Sequence, residues 1–192
     1  MYRIIGILGP SGCGKDSLLA EIRNHAKEYG DNINEIVMTT TRPPRDYEKN
    51  GEHYWFINKD EFNKSNDLVG HTWFNNWGYA IDIKSLQEDK INLAVLNPKM
   101  AYELMYEDNI KITLYYLKVN DRERLLRQLT RETNPNCSEI CRRFLADKDD
   151  DILYSNFQLC CLTNETLKDK QHNAKVILET ARTLALADQN CK

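Results

Sequence analysis

An α/β fold, with a parallel sheet covered by helices on both faces, is what this chain of 192 residues predicts. An apolar run, Ile4 to Leu8, leads straight into a glycine-rich turn and then into a helical pattern. Ile91 to Leu96 is a continuous apolar stretch, the mark of a strand buried on both faces. Strand-like and helix-like segments alternate along most of the chain, as parallel strands joined by crossover helices require.

The turn reads Gly9-Pro10-Ser11-Gly12-Cys13-Gly14-Lys15-Asp16-Ser17. Glycines at 9, 12 and 14 permit a tight loop whose backbone N–H groups converge on one point, and Lys15 at the mouth of the next helix can neutralise a bridging phosphate oxygen. This is a Walker A phosphate cradle with one departure. The pattern places Ser or Thr directly after the lysine to set a hydroxyl on Mg²⁺, whereas here Asp16 stands there and the hydroxyl follows at Ser17. Asp16 and Ser17 are therefore the candidate metal ligands. The helix from Ser17 to His25, with Leu18, Leu19 and Ile22 at helical spacing, aims its positive end at the bound phosphate.

Composition narrows the partners. Lys plus Arg number 26 and Asp plus Glu 29, giving a net charge of −3, so no basic field draws nucleic acid to the chain. No apolar run approaches the roughly 20 residues of a membrane span, and no signal-type apolar region precedes the cradle, so the expectation is a cytoplasmic protein without a membrane partner. Its oligomeric state is not legible. The six cysteines include no Cys-x-x-Cys pair: Cys137 and Cys141 fall on one helix face, and Cys160 and Cys161 point to opposite sides of a strand. They are expected to be reduced thiols, and Cys13 a small filler of the cradle.

After a break at Gly30-Asp31-Asn32, Glu35 to Thr41 reads as a short strand. Arg42-Pro43-Pro44-Arg45 then places two guanidinium groups three residues apart on a segment that its prolines hold extended, able to close on a phosphate from two sides. A turn at Asn50-Gly51 precedes an aromatic strand, His53-Tyr54-Trp55-Phe56, and Lys59 to Phe62 suggests a short helix. Trp73, Phe74, Trp77 and Tyr79 surround Asn75-Asn76, a combination that can hold a planar base or a sugar but also suits a core.

Pro98 suits the first turn of a helix reaching Tyr106, and Ile110 to Val119 is another strand. Asp121 can cap a helix through Arg131 that carries Arg122, Arg124 and Arg127, which fit a solvated face laced with ion pairs. A polar connection, Glu132 to Cys137, leads to a capped helix from Ser138, where Arg142 and Arg143 precede the acidic run Asp147 to Asp151. A strand over Asn156 to Leu162 and an amphipathic helix over Asn173 to Leu186 end the chain. The stretch from about 42 to 80 lacks the alternation and reads as an inserted acceptor-binding lobe; about 132 to 142 reads as a mobile, arginine-bearing lid. Residues 1–41 and 81–192 form the core of one folding unit.

The cradle, then Thr40-Thr41-Arg42-Pro43-Pro44-Arg45, then Glu48, Asn50-Gly51, Tyr54 and Phe56 resemble, in order and spacing, the guanylate kinase family of P-loop kinases. The similarity spans most of the chain, and Arg131 and Arg143 fall where that family keeps its lid arginines. It implies a P-loop kinase fold, with ATP as phosphoryl donor bound with Mg²⁺ at the loop and a monophosphate acceptor, GMP first, in the 42 to 80 lobe. The implied roles are Lys15 on the transferred phosphate and Arg42 and Arg45 on the acceptor phosphate. Tyr54 is a hydroxyl donor, Trp77 and Tyr79 are further acceptor contacts, and Arg131 and Arg143 are lid cations.

The chain departs from the family at three places. Gly70-His71 stands where the family keeps a guanine-reading glutamate, Asn97-Pro98-Lys99 replaces an Asp-x-Asp pair, and Trp77 and Tyr79 replace a tyrosine and a hydroxyl residue. Gly14-Lys15-Asp16-Ser17-Leu18-Leu19-Ala20-Glu21 with Asn97 is also similar to ribose 1,5-bisphosphate phosphokinase, which makes phosphoribosyl pyrophosphate on the same fold. That acceptor, and a non-catalytic module holding phosphorylated peptides, are the alternatives.

Overall fold

The computed structural model describes residues 1–46, 48–74, 76–131, 133–154 and 157–189. In chain order its elements are β1 (Tyr2–Leu8), α1 (Lys15–Tyr29), β2 (Ile33–Glu35), β3 (Thr39–Thr40), β4 (Trp55–Phe56), α2 (Lys59–Lys64), β5 (Leu68–Phe74) and β6 (Trp77–Asp82). They continue with β7 (Ile91–Val95), α3 (Pro98–Leu104), β8 (Ile110–Lys118), α4 (Asp121–Thr130), α5 (Cys137–Tyr154), β9 (Cys160–Thr163) and α6 (Leu167–Gln189). One sheet has the order β2-β7-β1-β8-β9 and a second the order β4-β3-β6-β5. In the first sheet β2 pairs with β7 and β8 with β9 in parallel, and the alternation of strand and helix around them is the predicted α/β fold.

The chain divides into two compact units, residues 1–6 with 33–113 and residues 7–32 with 114–192, so β1 and β8 each contribute to both. In the first unit, β7 is the buried strand that its apolar run predicts, with Leu93 and Ala94 almost wholly covered. The second sheet belongs to this unit, with β3 parallel to β4 and antiparallel to β6. α2 opens on a capping box: the Asn58 side chain accepts from the Glu61 N–H, and the Glu61 carboxylate accepts from the Asn58 N–H. It presents Phe62, 1% exposed, to the sheet. A Cβ at Gly78 would lie 2.7 Å from the Phe62 ring, so β6 needs glycine there for Phe62 to pack. Truncating Phe62 to alanine would cost about 3–5 kcal/mol.

In the second unit α1 packs along α6, and Leu18, Ile22 and Ala26 of α1 and Ala174, Ile177 and Leu178 of α6 are buried. Arg182 of α6 clasps Asp31 with two bonds of 2.7 Å.

Several boundaries differ from the sequence reading, each for a local reason. Glu35 to Thr41 is two strands in different sheets, because the chain leaves β7 after Glu35 and joins β6 at Thr39. α4 is capped by Asn120, whose side chain accepts from the Glu123 N–H, and not by Asp121, which lies inside the first turn. α5 starts at Cys137 behind Asn136, whose side chain accepts from the Glu139 N–H, so the helix already includes the second half of the predicted lid. α6 starts at Leu167, earlier than predicted, because Thr166 and Asp169 exchange side-chain-to-backbone bonds at its N-terminus. The predicted strand from Asn156 begins outside the described residues; within them it forms at Cys160. Tyr47, Asn75 and Glu132, and the side chains of Asp149 to Asp151, also lie outside them.

Candidate functional site

The cradle belongs to the second unit. Gly12 has φ +80, and a Cβ there would lie 2.6 Å from the Arg124 carbonyl oxygen, so the loop can take this path beside α4 only with glycine. Gly14, also left-handed, leads directly into α1 without a side-chain cap, which leaves the first-turn N–H groups available for an anion. Lys15 is half-buried. Its ammonium turns back to donate to the Gly9 carbonyl at 2.6 Å and the Pro10 carbonyl at 3.1 Å. Cys13 is fully buried, and burial pushes its thiol up against the lowering pull of Lys15, as befits a filler. Asp16 and Ser17 are exposed on the first turn of α1. Among the described residues no group of three or more His, Cys, Asp or Glu side chains is arranged to hold a metal. A carboxylate beside a hydroxyl still fits Mg²⁺, which takes hard oxygen donors and usually leans on one or two side chains plus substrate phosphates.

Around the loop stand residues outside the expected site, among them Arg124 and Arg127, whose spacing fits a solvated face. Arg124 is only 5% exposed. Its Nε donates to the Ser11 carbonyl at 3.0 Å, one Nη to Asp121 and the other to Asp147. Asp147, on α5, in turn accepts from the Ser11 N–H at 2.9 Å and the Ser11 hydroxyl at 3.2 Å. Asn164, 4% exposed, donates to the Cys13 carbonyl at 2.8 Å, and Arg127 bonds the carbonyls of Asn164 and Glu165. No spacing marks these residues out. Arg124 stands three residues after Asp121, and a charged pair of that spacing is ordinary on a solvated helix.

The two arginines expected as lid cations are on separate helices. Arg131 is exposed at the C-terminal end of α4, while Arg143, on α5, donates to Glu139 at 2.7 Å. Glu139 also takes two bonds from Arg142, and the pair of guanidinium groups, Arg142 first, holds its carboxyl at about 2.

In the first unit the predicted acceptor residues partly converge. Arg42 donates to both carboxylate oxygens of Glu48 at 2.8 Å and to the Pro43 carbonyl. Its guanidinium lies 5.3 Å from the Tyr54 ring centroid and 5.7 Å from that of Phe56. Glu48 is the main cause of the upward shift of Arg42, burial opposes it, and Tyr79 adds to it. Tyr79 meets Tyr54 edge-on. Arg42, Tyr54 and Tyr79 thus form one cluster, and the Arg45 N–H joins it through Glu48 at 2.8 Å. Trp77 stands apart, at the turn of the β5–β6 hairpin beneath the Lys59 ammonium. Sequence reasoning noted Glu48 as a motif residue without giving it a role. It is the group that aims Arg42.

The cluster is bolted to β6 by the two threonines. Thr40 donates its hydroxyl to the Gly78 carbonyl, Thr41 accepts from the Gly78 N–H, and both threonines are buried. Gly70, where the resemblance calls for a glutamate, has φ +64, and a Cβ there would sit 2.9 Å from Leu104. A side chain at that position would be strained and would crowd Leu104 and Met100. Asn97 caps α3 by accepting from the Met100 N–H at 2.9 Å.

Comparison with known proteins agrees with this anatomy. The family model described as guanylate kinase matches residues 1–181. A guanylate kinase of Malacoplasma penetrans (strain HF-2) is 30% identical over 152 residues, covering 73% of this chain and 76% of the relative. One of Campylobacter jejuni (strain RM1221) is 27% identical over 188 residues, 91% of this chain and 87% of the relative. The crystal structure of guanylate kinase from Anaplasma phagocytophilum shares the fold with a TM-score of 0.63 at 19% identity, over 96% of this chain and 86% of that one. By the extent of the family match and by this cradle and arginine cluster, the chain belongs to the guanylate kinase family.

Proposed function

We propose that this protein transfers the γ-phosphoryl group of ATP to the phosphate of GMP, releasing ADP and GDP. The observation that carries the reading is a cradle with its lysine, built separately from an arginine cluster that a carboxylate and aromatic rings hold in place. Phosphoryl transfer is chiefly positioning and cancellation of charge on the equatorial oxygens, so a donor site and an acceptor site each need fixed cations.

In this reading the loop from Gly9 to Ser17 takes the ATP phosphates. Lys15 exchanges two neutral carbonyl partners for a phosphate oxygen, an inexpensive swap because the new partner is charged. Asp16 and Ser17 hold Mg²⁺, which when bound shields the phosphate charge. Arg42 and Arg45 grip the acceptor phosphate, with the hydroxyls of Tyr54 and Tyr79 beside them and Trp77 at the edge of the lobe. Arg131 and Arg143, which bracket a lid of about 132 to 142, supply further positive charge, and Arg143 exchanges Glu139 for phosphate when it does so.

GMP is favoured over ribose 1,5-bisphosphate and over a peptide-holding module because the curated relatives are named guanylate kinases and the cradle retains its lysine. Since position 70 is a glycine, the guanine edge has to be recognised by other groups of the lobe. No helix among the described residues is long and apolar enough to cross a membrane, which suits a small-molecule kinase working in the cytoplasm. The test is ADP release, coupled to a chromogenic reporter, across nucleoside monophosphates and ribose 1,5-bisphosphate. The expected outcome is the highest kcat/KM on GMP. A higher value on ribose 1,5-bisphosphate would overturn the choice of acceptor.

A further inference from the structure

We propose that Asp147 is a positioning residue for the donor site, a carboxylate on α5 that holds the Ser11 peptide of the cradle in its phosphate-receiving shape. The inference rests on the reading that the cradle binds ATP.

Every polar group of Ser11 is engaged from outside the loop. Its N–H and hydroxyl donate to the two oxygens of Asp147, at 2.9 and 3.2 Å. Its carbonyl accepts from Arg124 Nε at 3.0 Å, with Gln128 at 3.5 Å. Arg124 closes the ring by donating to Asp147. The side chains of Arg124 and Asp147 are 6% and 15% exposed, so this ring is largely removed from water and its bonds are correspondingly strong. The Arg124 guanidinium also lies over the Phe144 ring at 4.9 Å, which adds a second tie to α5.

A carboxylate beside an anion site would ordinarily repel the ligand. Here Arg124 neutralises it, and Asp121 shares the guanidinium from the other side. Gly12 completes the arrangement, since only its missing Cβ admits the Arg124 backbone at that distance. The charges are therefore consumed in fixing the loop, and the Cys13 N–H is likewise held within it, by the Pro10 carbonyl at 3.3 Å. Because the same helix carries Arg143, the clamp also ties that lid cation to the loop it serves.

The opposite role is physically distinct and has the opposite sign. If Asp147 instead occupied the place of a phosphate oxygen, removing its charge would tighten ATP binding. The experiment is calorimetric titration of ATP with Mg²⁺ into wild-type protein, Asp147→Asn, Ser11→Ala and the double variant, with kcat and KM for both substrates. The expected result for Asp147→Asn is an ATP affinity lowered about five- to tenfold, from loss of the charge-assisted bonds to Ser11 and a guanidinium left with Asp121 as its remaining counter-charge. KM for ATP should rise by the same factor, with KM for GMP within about twofold. In the Ser11→Ala background the effect of Asp147→Asn should shrink, because the two residues act through one contact.

An unchanged or tighter ATP affinity in Asp147→Asn, or equal rises in both KM values, would overturn the proposal. So would full additivity with Ser11→Ala, which assigns Asp147 to α5 packing alone. Wild-type protein that binds no ATP would remove the donor-site reading together with this one, an outcome separable from the others. The near-isosteric asparagine and the Ser11 variant keep the test decisive even where Asp147→Ala fails to fold.

Discussion

The glycine-rich loop and the arginine cluster, the proposed donor and acceptor sites, each hold a cation, and they restrain it by different means. Lys15 leans on two backbone carbonyls, neutral acceptors that a charged oxygen readily displaces. Arg42 is locked to a carboxylate by paired bonds, stacked near two aromatic rings and largely covered, with 14% of its side chain exposed. The ammonium is a point charge that can follow a migrating group. The guanidinium is a fixed planar fork, suited to a phosphate that must be presented in one orientation. A transferred group needs a cation that can move with it, and an acceptor needs one that cannot.

Breaking the mobile cation should have the largest effect. Lys15→Ala is expected to lower kcat at least a hundredfold, roughly 3 kcal/mol of barrier, with the fold intact by circular dichroism. Retention of more than about a tenth of the wild-type rate would show that the lysine does not act on the transferred phosphate. Breaking the fixed cation should act on one substrate. Arg42→Ala and Arg45→Ala are expected to raise KM for GMP about tenfold or more while KM for ATP changes little, and Arg42→Lys should rescue poorly because an ammonium cannot reproduce the paired bonds. Equal losses for both substrates would erase the distinction between the regions.

The smallest effect sharpens the comparison through pH. Bonds from Arg42, aided by the Arg45 N–H and resisted by burial, hold the Glu48 carboxyl at about 2, below its ordinary 4.5. The unfolded chain binds that proton more tightly, so the stabilisation is complete above about 4.5 and fades as pH falls towards about 2. Thermal unfolding followed over that range should show a steeper acid loss for wild type than for Glu48→Gln. Parallel curves would mean that Glu48 contributes no stability through its charge.

Much of this was legible because some residues leave only one physical option. Three glycines and a lysine between an apolar strand and a helix admit little besides an anion cradle, and the prolines at 43 and 44 exclude helix beside Arg42. What stayed hidden depends on contacts distant in sequence. Glu48 reaches Arg42 across a turn, and Asp147 reaches Ser11 over 136 residues, so neither pairing leaves a periodic trace. Arg124 misled for a related reason: the spacing that signals a solvated ion pair also serves a buried guanidinium, and only packing distinguishes them. The end of β2 and the start of β3 read as one strand because the change of sheet partner between them has no compositional mark.

That the two regions are separate sites, one for each substrate, is tested most directly by titrating GMP into protein saturated with ATP, using wild type and Arg42→Ala. The account predicts that wild type binds GMP at one site per chain with ATP still in place. It also predicts that Arg42→Ala loses about tenfold or more in GMP affinity while its ATP affinity stays within about twofold. Displacement of ATP by GMP, or a matching loss of ATP affinity in the variant, would contradict it.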